Sequence, residues 1–344
     1  MGQSEHRSEL PDIARAMVAR GKGILAADES TGTIKKRFDK IGVESNEENR
    51  RAYRELLFTA PGIAEHISGV ILYDETLRQS TKGGERFADL LTRLGIVPGI
   101  KVDAGTKPMP NFPGEVITEG LDGLAGRLAE YYSLGARFAK WRAVIDIGAG
   151  IPTRTCIETN ADLLARYAAL CQDAQIVPIV EPEVLMDGGH SIERCEAVTD
   201  EVLATVFDRL LAHRVYLEGI VLKPNMVISG AKSASRAPPA QVAEATLRCL
   251  KRHVPSAVPG IAFLSGGQSE AEATLHLDLM NRSGPLPWPL SFSYGRALQA
   301  SALSAWGGAV ASVAAAQREF LKRARLNGLA TFGRYESTLE KQAA

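Results

Sequence analysis

Among the lysines that stand within or at the end of apolar, strand-like runs are Lys140 in RFAKWRAV (137–144) and Lys223 in LEGIVLKP (217–224). A protonated lysine, with a reference pKa of about 10.4, is a poor nucleophile. Partial burial and a neighbouring cation lower that value, and the neutral amine can then attack a carbonyl to form an imine. One of these lysines could be the nucleophile and the other its cationic neighbour. Position alone does not say which, nor does it separate either from a core ion pair. Carboxylates sit at comparable places: Asp28 ends GILAAD (23–28), Asp103 ends VPGIKVD (97–103), and Glu181 and Glu183 lie in IVPIVEPE (176–183). Glu181 could supply acid/base catalysis for the dehydration of a carbinolamine. Asp28 could take the proton from a hydroxyl beside a breaking carbon–carbon bond.

Two further groups suit phosphate. SGG (Ser265, Gly266, Gly267) and YGR (Gly295, Arg296) follow the last two strand-like runs and offer backbone N–H groups and a guanidinium. Ser30, Thr33, Arg37 and Lys101 make a second basic and hydroxyl-bearing set. Two anion sites flanking a lysine imply a substrate phosphorylated at both ends. Arg142 adds another cation two residues beyond Lys140.

These residues need elements to hold them. Eight short apolar runs recur: GILAAD, GVILYDE (69–75), VPGIKVD, RFAKWRAV, IVPIVEPE, LEGIVLKP, GIAFLSGG (260–267) and LSFSYGRA (290–297). They are continuous rather than alternating, as parallel strands covered on both faces should be. Amphipathic stretches separate them. Leu121, Leu124 and Leu128 share a helical face; Asn160 is expected to cap ADLLARYAALCQ, and Thr199 to cap DEVLATVFDRLLAHR. Ser269 and Glu272 have capping-box spacing. Eight strand–helix repeats predict an α/β fold, the (β/α)8 or TIM barrel, in which chemistry belongs at the C-terminal strand ends. Nearly every run ends in a polar group, and converging charges cost desolvation unless they serve a site. AGTKPMPNFPGE (104–115) reads as a long loop or short hairpin. No linker divides the chain, so a single domain over 1–344 is expected, with a loose tail from about 336.

Composition narrows the partners. The chain has 344 residues, 45% of them hydrophobic, with 40 basic and 40 acidic side chains. That balance carries no broad signature for nucleic acid or an anionic membrane. The apolar runs are far shorter than the roughly 20 residues of a spanning helix. MGQSEH resembles the start of a myristoylation signal, but Arg7 stands near the place of the helpful hydroxyl. Four cysteines without a CxxC pair read as core residues in a reducing cytoplasm. Six scattered histidines offer no HxxxH or HxH spacing, which disfavours zinc chemistry and a metal-dependent mechanism.

The stretches GKGILAADESTGTI (21–34), GVILYDETL (69–77), FAKWR (138–142), IVPIVEPEVL (176–185), LEGIVLKPNMV (217–227), FLSGGQSE (263–270) and FSYGRALQASAL (292–303) together resemble the class I fructose-bisphosphate aldolases over nearly the whole length. The resemblance implies that Lys223 forms the imine and Glu181 is the acid/base for its formation and hydrolysis. It implies that Glu183 holds the lysines, Lys140 supports the carbinolamine, and Asp28 handles the C4-hydroxyl proton. Ser265, Gly266, Gly295 and Arg296, with Ser293 nearby, would bind the C1 phosphate; Ser30, Thr33, Arg37 and Lys101 would serve the other. Thr33 replaces a commoner serine and keeps its hydroxyl. The resemblance implies no metal and no cofactor, because the protonated imine is the electron sink, and a homotetramer. Many members end in a tyrosine that assists proton exchange at the enamine carbon. This chain stops at EKQAA (340–344), so slower enamine protonation, or another proton carrier, is expected. The alternatives are a transaldolase-like transferase, which would need one phosphate end, and a non-catalytic cytoskeletal scaffold, which should have lost its lysines and carboxylates.

Overall fold

Apolar runs with branched side chains become strands here because both of their faces are covered. In the computed structural model, which describes residues 9–341, the strands in chain order are β1 Gly23–Ala27, β2 Ile67–Leu72, β3 Val97–Lys101, β4 Thr106–Pro108, β5 Val116–Thr118, β6 Phe138–Ile145, β7 Val177–Val184, β8 Val221–Leu222, β9 Ile261–Phe263 and β10 Leu290–Tyr294. Eight of them close in the order β1-β10-β9-β8-β7-β6-β3-β2, every pair parallel. The proline-rich stretch folds as the antiparallel hairpin β4–β5 between β3 and β6. The expected (β/α)8 barrel is the fold observed. The myristoylation-like sequence lies outside the described residues.

Side chains alternate across each strand. Ile24, Ala26, Ile71, Phe138, Val177, Ile179, Val221 and Ala262 form one buried cluster inside the barrel. Their neighbours Leu25, Ala27, Leu72, Ala139, Trp141, Val180 and Leu222 pack outward with the helices. Helix α1 (Leu10–Met17) sets Leu10, Ala14 and Met17 on one face and adds them to the interior cluster, closing the end away from the C-terminal strand tips. Gly99 is needed at that end: a Cβ there would lie 2.3 Å from the Phe138 ring.

The outer layer is α2 (Thr31–Asp39), α3 (Glu47–Phe58), α4 (Asp74–Arg78), α5 (Phe87–Arg93), α6 (Leu124–Ser133), α7 (Arg154–Asp173), α8 (Ile192–Ala212), α9 (Pro239–His253), α10 (Glu270–Arg282), α11 (Arg296–Trp306) and α12 (Val313–Ala330). The capping box of α10 is present in both directions, with Glu272 N donating to Ser269 Oγ at 3.2 Å and Ser269 N to Glu272 Oε2 at 2.8 Å. Two expected caps are not caps. Helix α7 starts at Thr153, whose hydroxyl accepts from Cys156 N; Asn160 sits inside the helix and donates to Val116 O at 2.9 Å, tying β5 down. Helix α8 is capped by Ser191, and Thr199, buried mid-helix, accepts from Asn225. Both residues satisfy polar groups on the neighbouring element, a use that local cap spacing does not reveal.

The sixth run is also shorter as a strand than its sequence. Leu217–Gly219 turns as a 3-10 segment and only Val221–Leu222 pairs as strand, although Lys223 N still donates to Val180 O at 2.8 Å. Residues 337–341 differ from a loose tail. They form a 3-10 turn in which Glu340 takes two bonds of 2.6 Å from the buried Arg323 and one of 2.8 Å from Tyr335 Oη. A buried guanidinium needs such a partner. All four cysteines are buried and free. Among the described residues no helix is long and apolar enough to cross a membrane.

Candidate active site

The alternation that fills the barrel also selects what reaches its mouth. Continuing each inward row by two residues gives Asp28 after Ala26, Lys140 and Arg142 after Phe138, Glu181 and Glu183 after Ile179, and Lys223 after Val221. On β3 the same parity gives Lys101 and, just past the strand, Asp103. The register agrees, since Lys101 lies beside Lys140 and Arg142 beside Glu181. Seven of these eight side chains are buried or nearly so, and Arg142 is the most open.

They pair across the mouth. Lys223 Nζ is 3.2 Å from Glu181 Oε1, and the second oxygen of Glu181 is 3.5 Å from Lys140 Nζ. Lys140 also meets Asp28 at 2.8 Å and Asp103 at 4.0 Å. One carboxylate therefore spans both lysines, while Lys140 draws on three acids. Burial alone would raise the Asp28 carboxyl; Lys140 and then Lys223 outweigh it and hold Asp28 well below the usual carboxylate range. Burial alone would likewise lower Lys140, but Asp28, Glu181 and Asp103 push it upward, so it stays a fixed cation. Arg142 pairs with Glu183, which stiffens that side of the mouth. Asp103 was passed over as a site residue in sequence, although its inward parity marks it.

The residues expected to hold phosphate lie on the neighbouring strand ends. Ser265 follows β9 and is buried; Gly266 and Gly267 run over Met186. A Cβ on Gly266 would meet Met186 Cε at 2.8 Å, and one on Gly267, at φ +71°, would meet Met186 Cγ at 2.1 Å. Glycine is thus required on both counts. Ser293, on β10, has a buried hydroxyl with no protein partner. Gly295 precedes α11 and Arg296 begins it, exposed.

The second expected set is divided. Ser30 caps α2, with its hydroxyl 3.1 Å from that of Thr33. Arg37, one turn on, has its Nη2 3.7 Å from where a Gly295 Cβ would be, and shares a lined cavity of about 200 Å³ with Arg296. Lys101 is instead turned onto Asp103, donating to its carbonyl at 2.7 Å and its carboxylate at 2.6 Å. One trio of metal-capable groups occurs among the described residues: Glu196, Asp200 and Cys249, on α8 and α9 outside the barrel. Arg248 and Arg252 already pair its carboxylates, which makes it a helix–helix contact.

A closed parallel barrel whose mouth joins two buried lysines through one glutamate defines the class: a (β/α)8 enzyme equipped for Schiff-base chemistry. Comparison with known proteins narrows this. Residues 9–344 match the family model of class-I fructose-bisphosphate aldolase. The chain is 56% identical over 329 residues to the probable class 1 fructose-bisphosphate aldolase of Xanthomonas axonopodis, covering 95% of this chain and 98% of that one. It is 56% identical over 317 residues to the cytosolic fructose-bisphosphate aldolase 4 of Arabidopsis thaliana, covering 92% and 81%. The fructose-bisphosphate aldolase of Plasmodium falciparum, solved in complex with TRAP and a small-molecule inhibitor, superposes with a TM-score of 0.96 at 51% identity and 97% coverage of both chains. The chain belongs to the class-I fructose-bisphosphate aldolase family and is a lyase. Its reaction is the reversible aldol cleavage of fructose 1,6-bisphosphate to dihydroxyacetone phosphate and glyceraldehyde 3-phosphate.

Proposed function

We propose that Lys223 is the lysine through which this aldolase forms its imine, and that the other residues of the mouth divide the remaining steps. The observation that carries the reading is the unequal surroundings of the two lysines. Lys140 meets three carboxylates and is held protonated, so it cannot be the nucleophile. Lys223 has one carboxylate within ion-pair distance, Glu181. The Lys223 amine attacks the C2 ketone, and Glu181 gives a proton to the departing carbinolamine oxygen as water leaves. The imine draws the electrons of the C3–C4 bond into an enamine while Asp28 accepts the C4-hydroxyl proton. Lys140 stabilises oxygen charge during these steps, and Glu183 keeps Arg142 in place. Ser265, Gly266, Gly267, Ser293, Gly295 and Arg296 serve the C1 phosphate; Ser30, Thr33 and Arg37 serve the other, with Lys101 recruited from Asp103. No metal or cofactor enters these steps.

Borohydride reduction in the presence of dihydroxyacetone phosphate, followed by peptide mapping, tests the assignment. A reduced adduct on Lys223 is expected; an adduct elsewhere, or none, overturns it. A homotetramer in the cytoplasm fits the family resemblance and the cytosolic relative. Light scattering and cell fractionation check these two points.

A further inference from the structure

Beside the catalytic Asp28 stands Glu29, which the reaction does not use. Its parity is outward, away from the mouth, and its side chain is only 4% exposed. One oxygen meets Arg37 Nη1 and accepts from Gln299 Nε2 at 3.0 Å; the other accepts from the buried Arg54 at 2.5 Å. Gln299 also donates to Ala26 O at 2.8 Å, and Tyr53 Oη donates to Gln299 Oε1 at 3.1 Å. The carboxylate is thus fixed to the end of β1, to α3 and to α11 at once. Of its three partners only Arg37 leads outward: its side chain is 24% exposed, whereas that of Arg54 is 3% exposed.

A carboxylate beside a phosphate site repels the phosphate unless it has another task. Here the cations outnumber it: two arginines share one glutamate, so the group keeps a positive charge. Glu29 takes Nη1 of Arg37, which leaves Nη2 beside Gly295 and Nε for another acceptor. A free arginine spreads over many rotamers, and binding a phosphate must then order it. An arginine already anchored through one nitrogen has lost that freedom.

We propose that Glu29 is a positioning residue for substrate recognition: held by Arg54 and Gln299, it aims Arg37 at the phosphate distal to C1 and so sets the preference for a bisphosphate over a sugar carrying only the C1 phosphate. This rests on the reading of Arg37 as a ligand of the distal phosphate.

The test is steady-state cleavage of fructose 1,6-bisphosphate and of fructose 1-phosphate by Glu29→Gln and by Arg37→Ala. Glu29→Gln strands two arginines beside a neutral amide and could impair folding. The paired variant Glu29→Gln/Arg54→Met removes the buried excess cation and serves as its folded counterpart, checked by near-UV circular dichroism. The expected result is a KM for the bisphosphate raised about tenfold, with kcat and the fructose 1-phosphate parameters within about twofold of the parent. A structural role alone would lower kcat for both substrates together. Equal losses on both substrates, or an unchanged bisphosphate KM in the paired variant while Arg37→Ala raises it, overturn the positioning role. An Arg37→Ala enzyme that keeps its bisphosphate KM overturns the reading of Arg37 itself.

Discussion

Replacing Lys140 by methionine removes the cation shared by three buried acids, and its consequence can be worked from the distances. At 2.8 Å and an effective dielectric of about 20, the Asp28–Lys140 attraction is about 6 kcal/mol. Lys223 and Lys101 remain to act on Asp28, and water entering the gap recovers more. The net loss is then about half, or about 3 kcal/mol, and it moves the Asp28 carboxyl upward. In the parent, Asp28 is held below its ordinary value. Its contribution to stability is therefore complete above the unfolded-state pKa, about 3.8, and is lost as pH falls through the folded-state value. In Lys140→Met that contribution shrinks, because burial is then opposed by Lys223 and Lys101 alone. Urea unfolding at matched protein concentration should show the variant less stable by about 3–5 kcal/mol at pH 7. The gap should stay level near neutral pH and narrow once pH falls below the variant's raised folded-state value, by at most about 1.4 kcal/mol per pH unit for each carboxyl involved. A gap that widens as pH falls, or that is as large at about pH 2 as at about pH 7, would refute the claim that Lys140 holds Asp28 ionised.

Four further outcomes are expected. Gly267→Ala should raise the KM about tenfold and cost about 1–3 kcal/mol, because φ is +71° and the added Cβ meets Met186. Gly266→Ala meets chiefly the flexible end of the same methionine, with Glu183 Oε1 at 3.1 Å, so Met186→Ala should rescue it in part, and a double-mutant cycle measures the coupling. Arg323→Met removes both bonds to Glu340 and should free residues 337–341 for limited proteolysis without changing the borohydride adduct. The four cysteines should react slowly with a thiol reagent in the native protein and fully on unfolding: all are buried, and burial with the nearby Glu115 pushes the Cys156 thiol up to about 12.

What was legible in the sequence follows from the range of the interactions. Lys140, Glu181, Lys223 and Asp28 stood out because a charge inside an apolar run is a local anomaly, and the barrel brought their strands to one mouth. Asp103 shares that signal but was not placed in the site until the inward row on β3 could be followed. Glu29 carries no such signal. It lies one residue past Asp28 on the opposite parity, and its partners Arg54 and Gln299 are 25 and 270 residues away in the chain. Asn160 and Thr199 misled for the converse reason: a cap is inferred from sequence spacing, yet both residues spend their hydrogen bonds on distant backbone or side chains. Arg37 and Lys101 were grouped by residue type, whereas geometry sets one beside Gly295 and the other onto Asp103.

The strand order explains why the two lysines of the mouth have unequal surroundings. Around the mouth β3 carries Asp103, β6 carries Lys140, β7 carries Glu181 and Glu183, and β8 leads to Lys223. Lys140 thus stands between acids on both neighbouring strands and meets Asp28 from β1 as well. Mutual attraction offsets the desolvation of so many charges, but it also fixes the proton on Lys140. The row ends at Lys223. On its far side β9 ends in Ser265, Gly266 and Gly267, which carry no charge. Lys223 therefore shares the buried setting but meets one carboxylate where Lys140 meets three. An acid in place of Ser265 would continue the alternation of charge around the mouth; serine and glycine end it, which is the arrangement the proposed role of Lys223 requires.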